Sequence, residues 1–140
     1  MAEHKYEISK ENGQIFIRAF GKTRAGLFTC ATHALFQAMG PVRHPENIDR
    51  NEHGFAVEAD SAEVLLAKLL NEVLQVSAKH QETCEELRLN LITDKKAEGA
   101  FVGCAITHFN QPVIQAPHEA VTVKKNEQTG EWEAEIKITE

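Results

Sequence analysis

Residues 14–20 read Gln-Ile-Phe-Ile-Arg-Ala-Phe, aromatic, apolar and β-branched with one charge. That composition predicts a strand covered on both faces. Tyr6 to Ile8 predicts a short strand leading into it, with Asn12-Gly13 supplying the turn between. Gly21 breaks the strand and Thr23 is placed to cap a first helix. There Leu27, Ala31, Ala34, Leu35 and Ala38 recur at steps of three and four, the spacing of one helical face. Gly40 followed by Pro41 ends it in the order typical of a C-terminus. Residues 43–53 are polar and read as a loop, and Phe55, Val57 and Ala59 then alternate with Ala56, Glu58 and Asp60, a strand with one wet face.

Asp60 or Ser61 caps a second helix, and the Asp60-x-x-Glu63 spacing resembles a capping box. Leu65, Leu66, Leu69, Leu70, Val73 and Leu74 form a broad apolar stripe along it. Leu87, Leu89 and Leu91 alternate with Arg88 and Asn90 as in a half-buried strand. Residues 100–107 read as a more uniformly apolar strand. Val121 and Val123, a turn at 126–130, and the alternation Trp132, Ala134, Ile136, Ile138 predict a closing β-hairpin. Strand, helix, strand, helix and then about four strands is an α+β order. The prediction is two helices packed on a mostly antiparallel mixed sheet, as one domain spanning residues 1–140.

Composition narrows the function. The chain has 140 residues, 42% of them hydrophobic and 26% charged, ordinary values for one globular domain. Its net charge of −6 argues against a surface built to grip nucleic acid, which needs clustered Lys and Arg. Cys30, Cys84 and Cys104 are widely spaced, with no CxxC pair, and read as reduced, buried, apolar residues. The first residues carry no apolar run behind Lys5, and no segment approaches the roughly 18 apolar residues of a membrane span. The expectation is a cytoplasmic protein without a membrane partner.

Candidate chemistry is sparse. Gly21-Lys22-Thr23 looks like the tail of a phosphate-binding P-loop, but the required upstream glycine is Phe16, inside a strand. The expected role is a strand-to-helix turn. The histidines at 4, 33, 44, 53, 80, 108 and 118 show no HExxH or HxxEH spacing, and GxSxG is absent. His44 and His53 fall in the predicted loop, and His80 after the second helix. Glu82, Glu85 and Glu86 read as a solvated connector, and Asn71-Glu72 as an exposed helix edge.

Several of these stretches together resemble the archease family. Tyr6-Glu7-Ile8 and Glu11-Asn12-Gly13-Gln14-Ile15 stand where the family has an aromatic-acidic strand and a His-Thr-Ala-Asp-Ile turn. Residues 17–23, Ile-Arg-Ala-Phe-Gly-Lys-Thr, are similar to its Arg-Ala-Tyr-Gly-Lys-Thr block. Ala34-Leu35-Phe36-Gln37-Ala38-Met39 and Leu65-Leu66-x-x-Leu69-Leu70-Asn71-Glu72 match its two helical patterns, and Trp132 to Ile138 its closing strand. The blocks are collinear along nearly the whole chain.

The resemblance implies a non-enzymatic accessory protein that helps a GTP-dependent RNA ligase become guanylylated and turn over in tRNA splicing or RNA repair. The implied partner is the RNA ligase, with no direct nucleic-acid binding. Family members hold a divalent cation with two aspartates, and alignment puts Gln14 and Thr139 at those positions. Glu140 stays beside the second, and Glu11 replaces the family's His as a possible substitute ligand. A hard cation wants charged oxygen ligands. No cofactor is therefore expected, and calcium or magnesium only if the site has been rebuilt. The family strand Lys-Ala-Val-Thr-Tyr-His corresponds to Gln115-Ala116-Pro117-His118-Glu119, which departs from it. Two other readings are a metal-independent interaction module with a different partner and a small-molecule binder or enzyme using His118, Glu119 and Glu11.

Overall fold

The computed structural model describes residues 5–111, 113 and 121–139. Strand β1 (Lys5–Glu11) turns at Asn12-Gly13 into β2 (Gln14–Gly21). Both turn residues have positive φ, 52° and 75°. That is the left-handed pair a two-residue hairpin turn demands, and Asn-Gly supplies it at least cost. After α1 (Arg24–Met39) come β3 (Pro41–Arg43), β4 (Arg50–Glu58), α2 (Ala62–His80), β5 (Glu82–Ile92) and β6 (Lys96–Phe109). Strands β7 (Val121–Lys125) and β8 (Trp132–Thr139) form the closing hairpin.

The α+β prediction holds, with a different sheet arrangement. Two four-stranded sheets form, one ordered β1-β2-β8-β7, the other built on β6, which pairs with β3, β4 and β5. Every described strand pair is antiparallel. Each helix touches both sheets: α1 meets β1, β2 and β8 on one side and β5 on the other, while α2 meets β4, β5 and β6 as well as β7. This explains α1. Beyond the predicted face, Phe28, Cys30, Phe36 and Met39 are also buried, because sheet covers the helix from two directions.

Thr23 caps α1, its Oγ1 accepting from Gly26 N at 3.0 Å, and Gly40 closes it at φ 65°. Ser61 caps α2. The capping-box reading fails: the Glu63 carboxylate accepts instead from the backbone N–H of Val123 on β7. The predicted stripe on α2 is buried throughout, from Leu65 to Leu74. Strand β4 begins at Arg50, inside the predicted loop, since β6 extends from Lys96 and offers backbone partners as far as Cys104 opposite Arg50. Cys30, Cys84 and Cys104 are all buried, as expected.

Candidate functional site

The positions singled out by alignment lie at one end of the first sheet. In the β1–β2 ladder Glu11 faces Gln14, and in the β2–β8 ladder Gln14 faces Thr139. Three positions scattered along the sequence thus become consecutive rungs beside the Asn12-Gly13 turn. Glu11 is exposed and Gln14 half-buried. Glu140, His118 and Glu119 lie outside the described residues, as does the segment aligned with the divergent family strand. The outer face of the same sheet holds an open groove of about 660 Å³, lined by Glu7, Ser9, Glu11, Phe16, Arg18 and Lys137 among others. On its floor Lys137 Nζ lies 5.6 Å from the Phe16 ring centre. The Arg18 guanidinium is held by Glu133 at 2.8 Å, Glu135 at 3.6 Å and Glu7 at 4.0 Å. The pairs with Glu7 and Glu135 are exposed and orient side chains more than they stabilise the fold, whereas Glu133 is largely covered.

A second cluster was not anticipated. Glu82 is no connector residue. It opens β5 with its side chain 4% exposed. Its carboxylate reaches across β6 to accept from Asn51 Nδ2 at 2.7 Å and to pair with His53 Nε2 at 2.7 Å, both on β4. His53 is a strand residue, not a loop one, and His80 is the last residue of α2. Their rings stack at 4.4 Å. The carboxylate passes over Gly103, where a Cβ would sit 2.4 Å from Glu82 Oε1. Only glycine leaves that path open. Glu85 on β5 draws in Arg43 at 2.6 Å and Arg50 at 3.4 Å, and that contact raises the pKa of Arg43 further. No local spacing joins positions 51, 53, 80 and 82, so the sequence carried no signal for the cluster beyond a lone glycine in an apolar strand. Among the described residues no three His, Cys, Asp or Glu groups are arranged to hold a metal ion.

Gly21-Lys22-Thr23 is confirmed as a corner. A Cβ on Gly21 would lie 2.3 Å from Leu27 N, so glycine is needed for β2 to run against the first turn of α1.

Comparison with known proteins bears on this geometry. The model of the Archease protein family (MTH1598/TM1083) matches residues 6–137. The chain belongs to the archease family. An archease from Thermotoga maritima, described as a possible chaperone, has a similar crystal structure: TM-score 0.66, 12% identity, 99% of each chain covered. The solution structure of protein 1598 from Methanobacterium thermoautotrophicum is also similar, with TM-score 0.61 and 15% identity over 96% of this chain and 98% of that one. At such identities the likeness establishes the archease fold alone. No curated relative matches the sequence. No helix among the described residues is long and apolar enough to cross a membrane.

Proposed function

We propose that this archease is an accessory protein of a GTP-dependent RNA ligase, promoting its guanylylation and turnover in tRNA splicing or RNA repair, while forming and breaking no bond itself. The family match over residues 6–137 carries the reading; it takes in Glu11 and Gln14 and most of β8, ending two residues before Thr139. The description of the Thermotoga relative as a possible chaperone fits a role exerted on another protein. The donor set at that end does not fit the family's cation. Gln14 and Thr139 offer neutral oxygens, leaving Glu11 as the one described carboxylate on those rungs. The accessory action is therefore assigned to contact between proteins, in the cytoplasm, without a metal-dependent step.

The test is a guanylylation assay of the ligase from the same organism, with and without this protein, in calcium and in chelator. Stimulation that survives chelation is expected. If the protein leaves guanylylation unchanged in both conditions, the ligase reading fails. The second reading, a metal-independent interaction module with another partner, then takes its place, as the altered donor set would favour.

A further inference from the structure

Strand β4 has one side paired and one side open. Its ladder with β6 runs from Arg50 opposite Cys104 to Glu58 opposite Lys96 without a register shift. Among the described residues no strand pairs with its other side. Across β6, the edge strand β5 is broken by irregularities between Cys84 and Glu86 and between Leu89 and Leu91. Bulges of that kind keep an edge from recruiting another strand, and a straight edge lacks the protection.

The backbone groups on the open side follow from the ladder. Ala59 N donates to Lys95 O at 2.8 Å, one rung beyond the end of β4. Antiparallel rungs alternate, so Val57, Phe55, His53 and Asn51 also turn their N–H and C=O toward β6. Glu58, Ala56, Gly54 and Glu52 turn theirs away. Lys68 agrees with this, since its Nζ donates at 2.9 Å to Glu58 O, a carbonyl that β6 leaves free. All four outward residues are exposed, and the central two are small. On the opposite face Phe55 and Val57 are only half-buried.

We propose that β4 pairs antiparallel with β4 of a second copy of this chain, about a two-fold axis at Gly54, joining their second sheets into one. Registers centred on His53, Gly54 or Phe55 all set outward groups against outward groups. Centring on Phe55 puts Glu52 against Glu58, a like-charge pair, and centring on His53 puts Arg50 against Ala56. Centring on Gly54 puts Arg50 against Glu58 of the second copy, and the two-fold axis supplies that pair twice. Opposite charges across antiparallel strands stabilise and like charges destabilise. The same register leaves only Gly54 at the axis and covers the half-buried Phe55 with His53 of the second copy. Within one chain Arg50 meets Glu85 at 3.4 Å and Glu58 meets Lys96 at 3.7 Å. Both side chains are well exposed, at 65% and 73%, so these weak contacts yield to the new pair. The proposal does not depend on the ligase reading.

Sedimentation equilibrium of the intact chain over a concentration series tests this, with amide hydrogen exchange read residue by residue. A monomer–dimer equilibrium is expected, in which the Gly54 and Ala56 amides exchange more slowly as concentration rises. Proline is tolerated where an edge N–H faces away from its sheet. Ala56→Pro should therefore leave the monomer's melting temperature unchanged and weaken the dimer at least about tenfold. Arg50→Glu and Glu58→Arg should each weaken it about tenfold, because each reverses two pairs, and the double variant should restore it. If Ala56→Pro fails to fold, the exchange measurement on the native chain still decides. A chain that stays monomeric up to about 1 mM overturns the proposal and leaves the edge to an extended segment of another protein. A dimer indifferent to Ala56→Pro, or Gly54 and Ala56 amides equally fast at every concentration, also overturns it. A dimer that the charge exchange does not restore overturns the register at Gly54.

Discussion

A carboxylate as enclosed as that of Glu82 persists only because its partners satisfy it. Each oxygen has one, Asn51 or His53. His53→Ala should cost about 1–3 kcal/mol by leaving Oε1 unpaired indoors, measured by urea denaturation; a loss within error would show that the pair contributes nothing. Cys84 permits a test in pH. Burial, aided by the Glu85 charge, pushes its thiol from 9.0 up to about 12. Between those values the unfolded chain releases a proton that the folded chain keeps. This thiol's contribution to stability is thus complete below about pH 9 and declines above it, by about 1.4 kcal/mol per pH unit. Stability curves between pH 8 and 11 should fall more steeply for the native chain than for Cys84→Ala, and parallel curves would contradict the cause. At the other end of the molecule, Gln14→Asp with Thr139→Asp places two carboxylates on facing rungs. They repel unless a cation lies between them. The double variant should gain about 2.7 kcal/mol from calcium at a hundredfold excess over its dissociation constant, seen as a raised melting temperature, and each single variant much less. Equal melting in calcium and chelator would show that this end cannot form a cage.

Among the elements, α2 is the one whose sequence and structure agree most closely, since one broad stripe faces the interior and the other face stays wet. Leu66 and Leu70 are both 0% exposed. Replacing either with Ala should cost about 2–5 kcal/mol through the cavity left behind, read from chemical denaturation; less than about 0.5 kcal/mol at both would mean the packing has been misassigned. Strand β8 was equally legible, because alternation records a single covered face. Helix α1 was legible only in part. Its extra buried residues include Thr32, whose hydroxyl donates to Phe28 O at 2.8 Å. A polar side chain that satisfies itself inside its own helix looks like a surface position in a sequence. Strand β3 and the start of β4 were missed for a related reason: their charged side chains, including Arg43 and Arg50, cover the outside of β6, so polarity there signals a wet sheet face.

For the whole molecule, fold class and family could be read from local pattern, but the division into two sheets could not. Which strands pair is decided by contacts between distant residues, and periodicity records only that each strand has a covered face. The same distinction applies to the candidate sites. Alignment brought Gln14 and Thr139 together because both sit in recognisable blocks. Glu82, His53 and His80 meet through a helix end, two strands and a glycine gap, which no linear spacing encodes.

The pairing of β2 with β8 has a kinetic consequence. Ile17 meets Ile136, 119 residues later in the chain. On the ribosome, at about 5–20 residues per second, the β1–β2 hairpin would wait roughly 6 to 24 seconds for that neighbour. Meanwhile both helices and the whole second sheet could be assembled, since residues 24–109 contain all of their strands. Until β8 arrives, the apolar side of β2, with Ile15, Ile17 and Ala19, has an unpaired edge beside it. Such edges recruit other chains. Nascent copies of this protein should therefore be most vulnerable to aggregation, and most in need of a holding chaperone, late in translation, just before the last strand emerges.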